Sequence, residues 1–297
     1  MSSTDHHAAP WDLAAGRTLT ELLEVSTHTT PGGCHWRRGE CSPTDAERLD
    51  AAAWLVAEEI MQLRCGRARH IFSAWRGAAT GQRPDDGIDP SLAAAFVQST
   101  FGLPPDGASE DHSQGYVAEI TWRMLTAEEQ AERRAVAHLA VPDPDVTSPG
   151  GDGFVIYRNR GRADLAFRLW EIKKRGGSGS VSATINVAYR QLDVNAERYL
   201  AKITGQTEVP GLDPDVLDLL ADLVPAWKRG DERAGAGVAV AANAQGLPRQ
   251  AFTTMHQHFP AFAAGGIEGC LLGLGSLREF ALNVRTLLWT GLSGETT

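Results

Sequence analysis

Apolar residues step by three and four through Ala46, Leu49, Ala53, Val56, Ile60 and Leu63, which predicts an amphipathic helix beginning at a capping box made by Thr44 and Glu47. Helical spacing also marks 91–101, 114–134, 181–205, 211–230 and 276–292, the last with Ser276 and Glu279 as a second capping box. Apolar runs too short for helices predict strands at 135–142, 237–243 and 269–274. Residues 150–174 read as a hairpin, two apolar strands about a polar turn at 159–164. Residues 1 to about 43 mix Gly, Pro and Thr clusters with one short apolar piece at 19–25, as expected of a partly ordered lead-in.

From residue 114 the order is therefore helix, three strands, helix, strand, then a further strand and helix. A central mixed sheet between helices satisfies it, so the class is α/β. The Pro-, Gly- and acid-rich stretch 102–113 marks a boundary. It divides the chain into a mostly helical region, 1–110, suited to docking a partner, and an α/β domain, 111–297.

Composition narrows the picture. The 297 residues suffice for a large core, and the longest apolar runs are far too short to span a membrane. The N-terminus has no basic start and no apolar core, so no secretory signal is expected. The four cysteines form no close pair, which fits reduced thiols in the cytoplasm. Cys34, His35, Cys41, Cys65 and His70 are too scattered for a zinc site, and His256 with His258 has no third ligand nearby. The net charge of −9 does not suit a chain that holds nucleic acid unaided. Locally, however, 158–175 carries seven basic residues against two acids. Arg158, Arg160, Arg162, Lys174 and Arg175 are its candidate phosphate contacts, with a solvated turn as the plainer reading of 158–162. The Gly/Ser turn at 175–180 opens a helix, but no nucleoside-triphosphate loop motif occurs.

The chemistry concentrates in the hairpin. Leu165, Phe167, Leu169, Glu171 and Lys173 alternate and so share a face, with the two charged residues at the end of the run. A register that leaves the turn at 159–164 sets Asp152 opposite Glu171, bringing two carboxylates and a lysine together. Carboxylate oxygens suit Mg²⁺ or Mn²⁺, and a lysine can orient water and stabilise charge on a phosphate. The alternative is an edge hairpin whose Glu and Lys cap a strand in solvent.

Asp152 followed by Glu171-x-Lys173 resembles the PD-(D/E)xK nuclease superfamily, with Gly151 where many members have proline. The resemblance covers about 114–245 and implies a restriction-endonuclease-like αβββαβ core and Mg²⁺-dependent hydrolysis of DNA. It also implies that Glu119, in GYVAEI, joins the metal site from the preceding helix, the alternative being an ordinary helix glutamate. Gln191 takes the place of the assisting glutamine of the following helix, whereas Tyr199 lies too far on for the tighter motif and reads as core. A lone nuclease with a separate N-terminal part resembles the Hachiman-type anti-phage defence subunit that works with a helicase. The competing function is a non-catalytic scaffold that keeps the fold.

Overall fold

The computed structural model describes residues 8–82, 87–129, 134–143, 152–160, 164–177, 179–206, 213–262 and 265–293. Gly151 and Arg162 lie outside these residues. In chain order the elements are α1 (Pro10–Ala14), α2 (Leu19–Leu22), β1 (Ser26–Thr29), β2 (His35–Cys41), α3 (Ala46–Cys65), α4 (Arg69–Ala79), α5 (Ala94–Phe101) and α6 (Glu110–Ala127). There follow β3 (Arg134–Leu139), β4 (Gly153–Asn159), β5 (Leu165–Arg175), α7 (Val181–Gln206), α8 (Pro214–Ala221), α9 (Leu223–Arg229), β6 (Ala236–Ala242), α10 (Met255–His258), β7 (Ile267–Leu274) and α11 (Leu277–Ser293).

One seven-stranded mixed sheet runs through the chain in the order β1-β2-β7-β6-β5-β4-β3. The centre, β2, β7, β6 and β5, is parallel, while β3, β4 and β1 are antiparallel to their neighbours. Helices cover both faces, which is why β5, β6 and β7 are buried over nearly their whole length. On one face Val155, Tyr157, Trp170, Ile172, Ala239 and Leu272 pack with α3, α6 and α11. On the other Phe154, Phe167, Leu169, Val238, Val240 and Leu271 pack with α7, α8 and α9. The expected alternation along β5 is thus real, with Leu165, Phe167 and Leu169 all on the α7 face.

The first 110 residues differ from the expected helical region. They supply β1 and β2, and β2 pairs with β7 over seven residues, from His35–Glu268 to Cys41–Leu274. Their helix α3 packs against α11 from the other end of the chain. HWRRGEC does not look like a buried strand, but Arg37 is neutralised by Glu129 at 3.5 Å and donates to the Leu125 carbonyl at 2.9 Å. Smaller boundary shifts have local causes. Asp45 rather than Thr44 caps α3, accepting from the Arg48 N–H at 3.3 Å, because the Thr44 hydroxyl is engaged by Ser42 at 2.8 Å. The helix expected over 211–230 breaks into α8 and α9, since Pro225 has no N–H to continue the ladder.

Candidate functional site

The last β4–β5 pair is Gly153 with Trp170, so from Glu171 onward β5 keeps β6 as a neighbour but has no β4 residue beside it. Asp152 stands at this fork. Its Oδ2 accepts a hydrogen bond from the Ile172 N–H at 2.8 Å, filling the ladder position that β4 leaves empty. Gly153 makes the approach possible. A Cβ there would lie 2.5 Å from ring carbons of Trp122, so only glycine lets the start of β4 lie against α6.

Glu171 and Lys173 share the α7 face, as their spacing predicts. Lys173 Nζ lies 2.5 Å from Glu171 Oε1 and 3.9 Å from Asp152 Oδ2. The lysine and Asp152 are about a quarter exposed, at 27% and 23%, whereas the Glu171 side chain is 1% exposed. Glu171 is therefore not a strand-end residue in solvent, because β5 continues for four residues to Arg175. Both Glu171 oxygens are buried with no aligned hydrogen-bond donor, so the lysine contact is one of charge rather than of direction.

Burial raises the Glu171 carboxyl to about 7, with the Asp152 charge adding to the effect and Lys173 opposing it. Asp152 is raised as well, by burial first, with Lys173 and the Ile172 N–H pulling the other way. Lys173 is raised despite its burial, because the two carboxylates favour its charged form. Glu119, half-buried on α6, is raised well above the ordinary carboxyl range by burial and then by Asp152. The charges of Lys173 and Glu171 act on it as well. Four titratable groups pushing on one another in a partly dry recess can hold a proton, orient a water or bind a cation.

Gln191 is half-buried on α7, and its side chain makes no hydrogen bond to Asp152, Glu171 or Lys173. The α7 residue that does influence Lys173 is Tyr199, which is buried and helps raise the lysine. The sequence reading of Tyr199 as a core residue holds, since it is buried with Leu192, Ala196 and Leu200.

The basic segment does not form one patch around the fork. Arg158 lies at the other end of β4 and is held by Asp213 at 2.5 Å and Asp215 at 3.5 Å. Arg160 is exposed in the turn beyond it. Arg168, counted in the local basic excess, is interior and bonded to Glu268 at 2.8 Å. Lys174 points to the opposite face and pairs with Asp111, leaving half-buried Arg175, packed against Gly179, as the basic candidate on the Glu171 face. Among the described residues no three His, Cys, Asp or Glu side chains are grouped closely enough to hold a metal as they stand. The chemistry of the fork still fits a hard cation, because Asp152 and Glu171 supply carboxylate oxygens, balanced in its absence by the Lys173 ammonium. All four cysteines are buried free thiols. Among the described residues no helix is long and apolar enough to cross a membrane. Compared with known proteins, the chain matches no protein-family model and no curated protein.

Proposed function

We propose that this chain is a metal-dependent nuclease that hydrolyses DNA phosphodiester bonds at the Asp152, Glu171 and Lys173 fork. The observation that carries the reading is the meeting of these three side chains where β4 ends beside β5, with the buried Glu171 carboxyl against the Lys173 ammonium. The element order α6, β3, β4, β5, α7, then β6 after the inserted α8 and α9, with β6 parallel to β5, supports a restriction-endonuclease-like αβββαβ core. Asp152 and Glu171, with Glu119 from α6, would hold Mg²⁺ or Mn²⁺, which when bound supplies a Lewis acid for the scissile phosphate. Lys173, the more exposed member, would hydrogen-bond the attacking water and face the charge that develops on the phosphate.

Delivery of the DNA is assigned to a partner, such as a helicase-type motor. Ion pairs occupy Arg158 and Lys174, and the chain as a whole carries −9, so few phosphates can be neutralised by the chain alone. A restrained DNA-cutting subunit of this layout suits an effector in bacterial anti-phage defence. One observation favours the second reading, a non-catalytic scaffold: no ready-made three-ligand group exists among the described residues. The deciding experiment incubates supercoiled plasmid and single-stranded DNA with the chain, with Mg²⁺ or Mn²⁺ and with chelator, alongside calorimetric titration of each metal. Metal-dependent cutting that Glu171→Gln abolishes supports the nuclease. Absence of both cutting and metal binding supports the scaffold.

A further inference from the structure

On the sheet face away from Glu171, a cavity of about 1030 Å³ opens between the end of α6 and the β1–β2 pair. Its size is at the upper end of the ~300–1,000 Å³ common for small-molecule sites. Arg134 is the lining residue that bears most on what it accepts, since the Trp36 ring belongs to the core of the opposite face.

Every nitrogen of Arg134 is engaged, and of its five N–H groups only one, on Nη1, is left over. Its Nε and Nη2 donate to Glu129 Oε1 at 3.0 and 2.7 Å, and its Nη1 and Nη2 donate to Glu268 at 2.5 and 2.9 Å. One guanidinium face lies 3.8 Å from the centre of the Tyr157 ring, which is buried and does not line the cavity. What Arg134 offers the cavity is therefore its other flat face. Arg37 is likewise committed, to the Leu125 carbonyl at 2.9 Å and the Thr126 hydroxyl at 3.2 Å. Burial alone would raise Glu268, yet Arg134 and Arg168 hold its carboxyl down to about 2, so it is charged at neutral pH. A phosphate entering here would find no free arginine fork and would face Glu128, Glu129 and Glu268. Elsewhere in the lining, Trp36 and His28 stack with ring centres 4.3 Å apart. Gly39 forms another part of the wall, where a Cβ would already touch Leu23, Val25 and Leu125 at 3.5–3.6 Å.

We propose that this cavity binds a flat, uncharged heterocycle of nucleoside size, its ring stacked on the free face of Arg134. On the rim, Thr27 suits a hydroxylated substituent such as a ribose, whereas the Thr20 hydroxyl is taken by Glu128 at 2.7 Å and that of Thr29 by His35 at 3.0 Å. The site is independent of the metal fork, so its occupation is separable from cleavage.

The test titrates adenosine, uridine and their 5′-monophosphates into the full chain, reading tryptophan fluorescence and thermal midpoint. Thr27 is an exposed residue of β1 that lines the cavity, so Thr27→Trp fills it from the surface. Gly39→Val fills the same space from the wall, in case the first variant misfolds. The expected result is saturable binding of a nucleoside below about 1 mM, weakened at least about 10-fold in whichever blocking variant keeps the wild-type midpoint, with the monophosphate binding no more tightly. Failure of both nucleosides to bind, undiminished binding in a folded blocking variant, or a monophosphate about 10-fold tighter than its nucleoside would each overturn the proposal.

Discussion

Lys173 and Glu171 stand two residues apart on β5 and meet with Nζ 2.5 Å from Oε1, yet the carboxylate stays buried and unaligned with any donor. The contact therefore relieves only part of the cost of an ionised Glu171, and the carboxyl remains raised. A charge held in this condition is expensive to the fold and available to a cation, two consequences that separate measurements can read.

The first is a pH effect on stability. Glu171 titrates near 7 in the folded chain against an ordinary value of 4.5. The folded state then binds the proton more tightly, so stability is highest at low pH and falls as pH rises from about 4.5 through about 7. Asp152 is shifted the same way and titrates with it. Glu171→Gln removes the charge and keeps the shape. Without divalent metal, its unfolding free energy should gain on the wild type between pH 5 and pH 8.5, by on the order of 3 kcal/mol at most. A difference that does not change with pH would show that Glu171 is not raised.

Lys173 and a metal compete for the same oxygens. Lys173→Met should lower cleavage by roughly 10²-fold or more, through loss of the group facing the phosphate. Mn²⁺ affinity should hold or rise in this variant, because the competing ammonium is gone. Asp152→Asn and Glu171→Gln should lose both properties. Calorimetry on the three variants separates the roles, and weakened Mn²⁺ binding in Lys173→Met would make the lysine part of the structure rather than of the chemistry.

Gly153 is the hinge of the fork. Gly153→Ala puts a methyl 2.5 Å from the Trp122 ring, a clash expected to cost about 1–3 kcal/mol and to push Asp152 away from Ile172. Cleavage should fall even under conditions where the variant is fully folded. Wild-type cleavage with an unchanged urea midpoint would mean that β4 need not sit so close to α6.

The fork was legible because it depends on local geometry. Alternation fixes the face of Glu171 and Lys173, and a hairpin register fixes Asp152 opposite them, whatever the rest of the chain does. Distant partners decide the parts that were not legible. Arg168 counted toward the basic excess of 158–175, but Glu268, 100 residues later, draws it inside. β2 looked like polar lead-in, and becomes a strand because β7 offers it an edge and Glu129 neutralises Arg37. Glu171 was expected at an exposed strand end, and its burial follows from the continuation of β5 beside β6 under α7.

Glu268 is the opposite of Glu171, a buried carboxylate with its partners fully engaged. It accepts from Arg134 at 2.5 and 2.9 Å and from Arg168 at 2.8 Å, and its carboxyl is held down to about 2. Removing its charge leaves two arginines without their shared partner, a loss of about 3–5 kcal/mol for a broken buried pair. Glu268→Gln should therefore lower the urea midpoint sharply at pH 7. The sign with pH is the reverse of that for Glu171. A lowered folded value means stability present above about 4.5 and lost as pH falls toward 2, so the gap between wild type and Glu268→Gln should narrow over that range. Cleavage per folded molecule should stay near wild type, because Glu268 lies on the α6 face, away from the fork. Urea titrations at pH 7, 4 and 2.5 measure the gap. A gap of constant size would mean that the arginines, not the ionised carboxylate, hold this end of the sheet together.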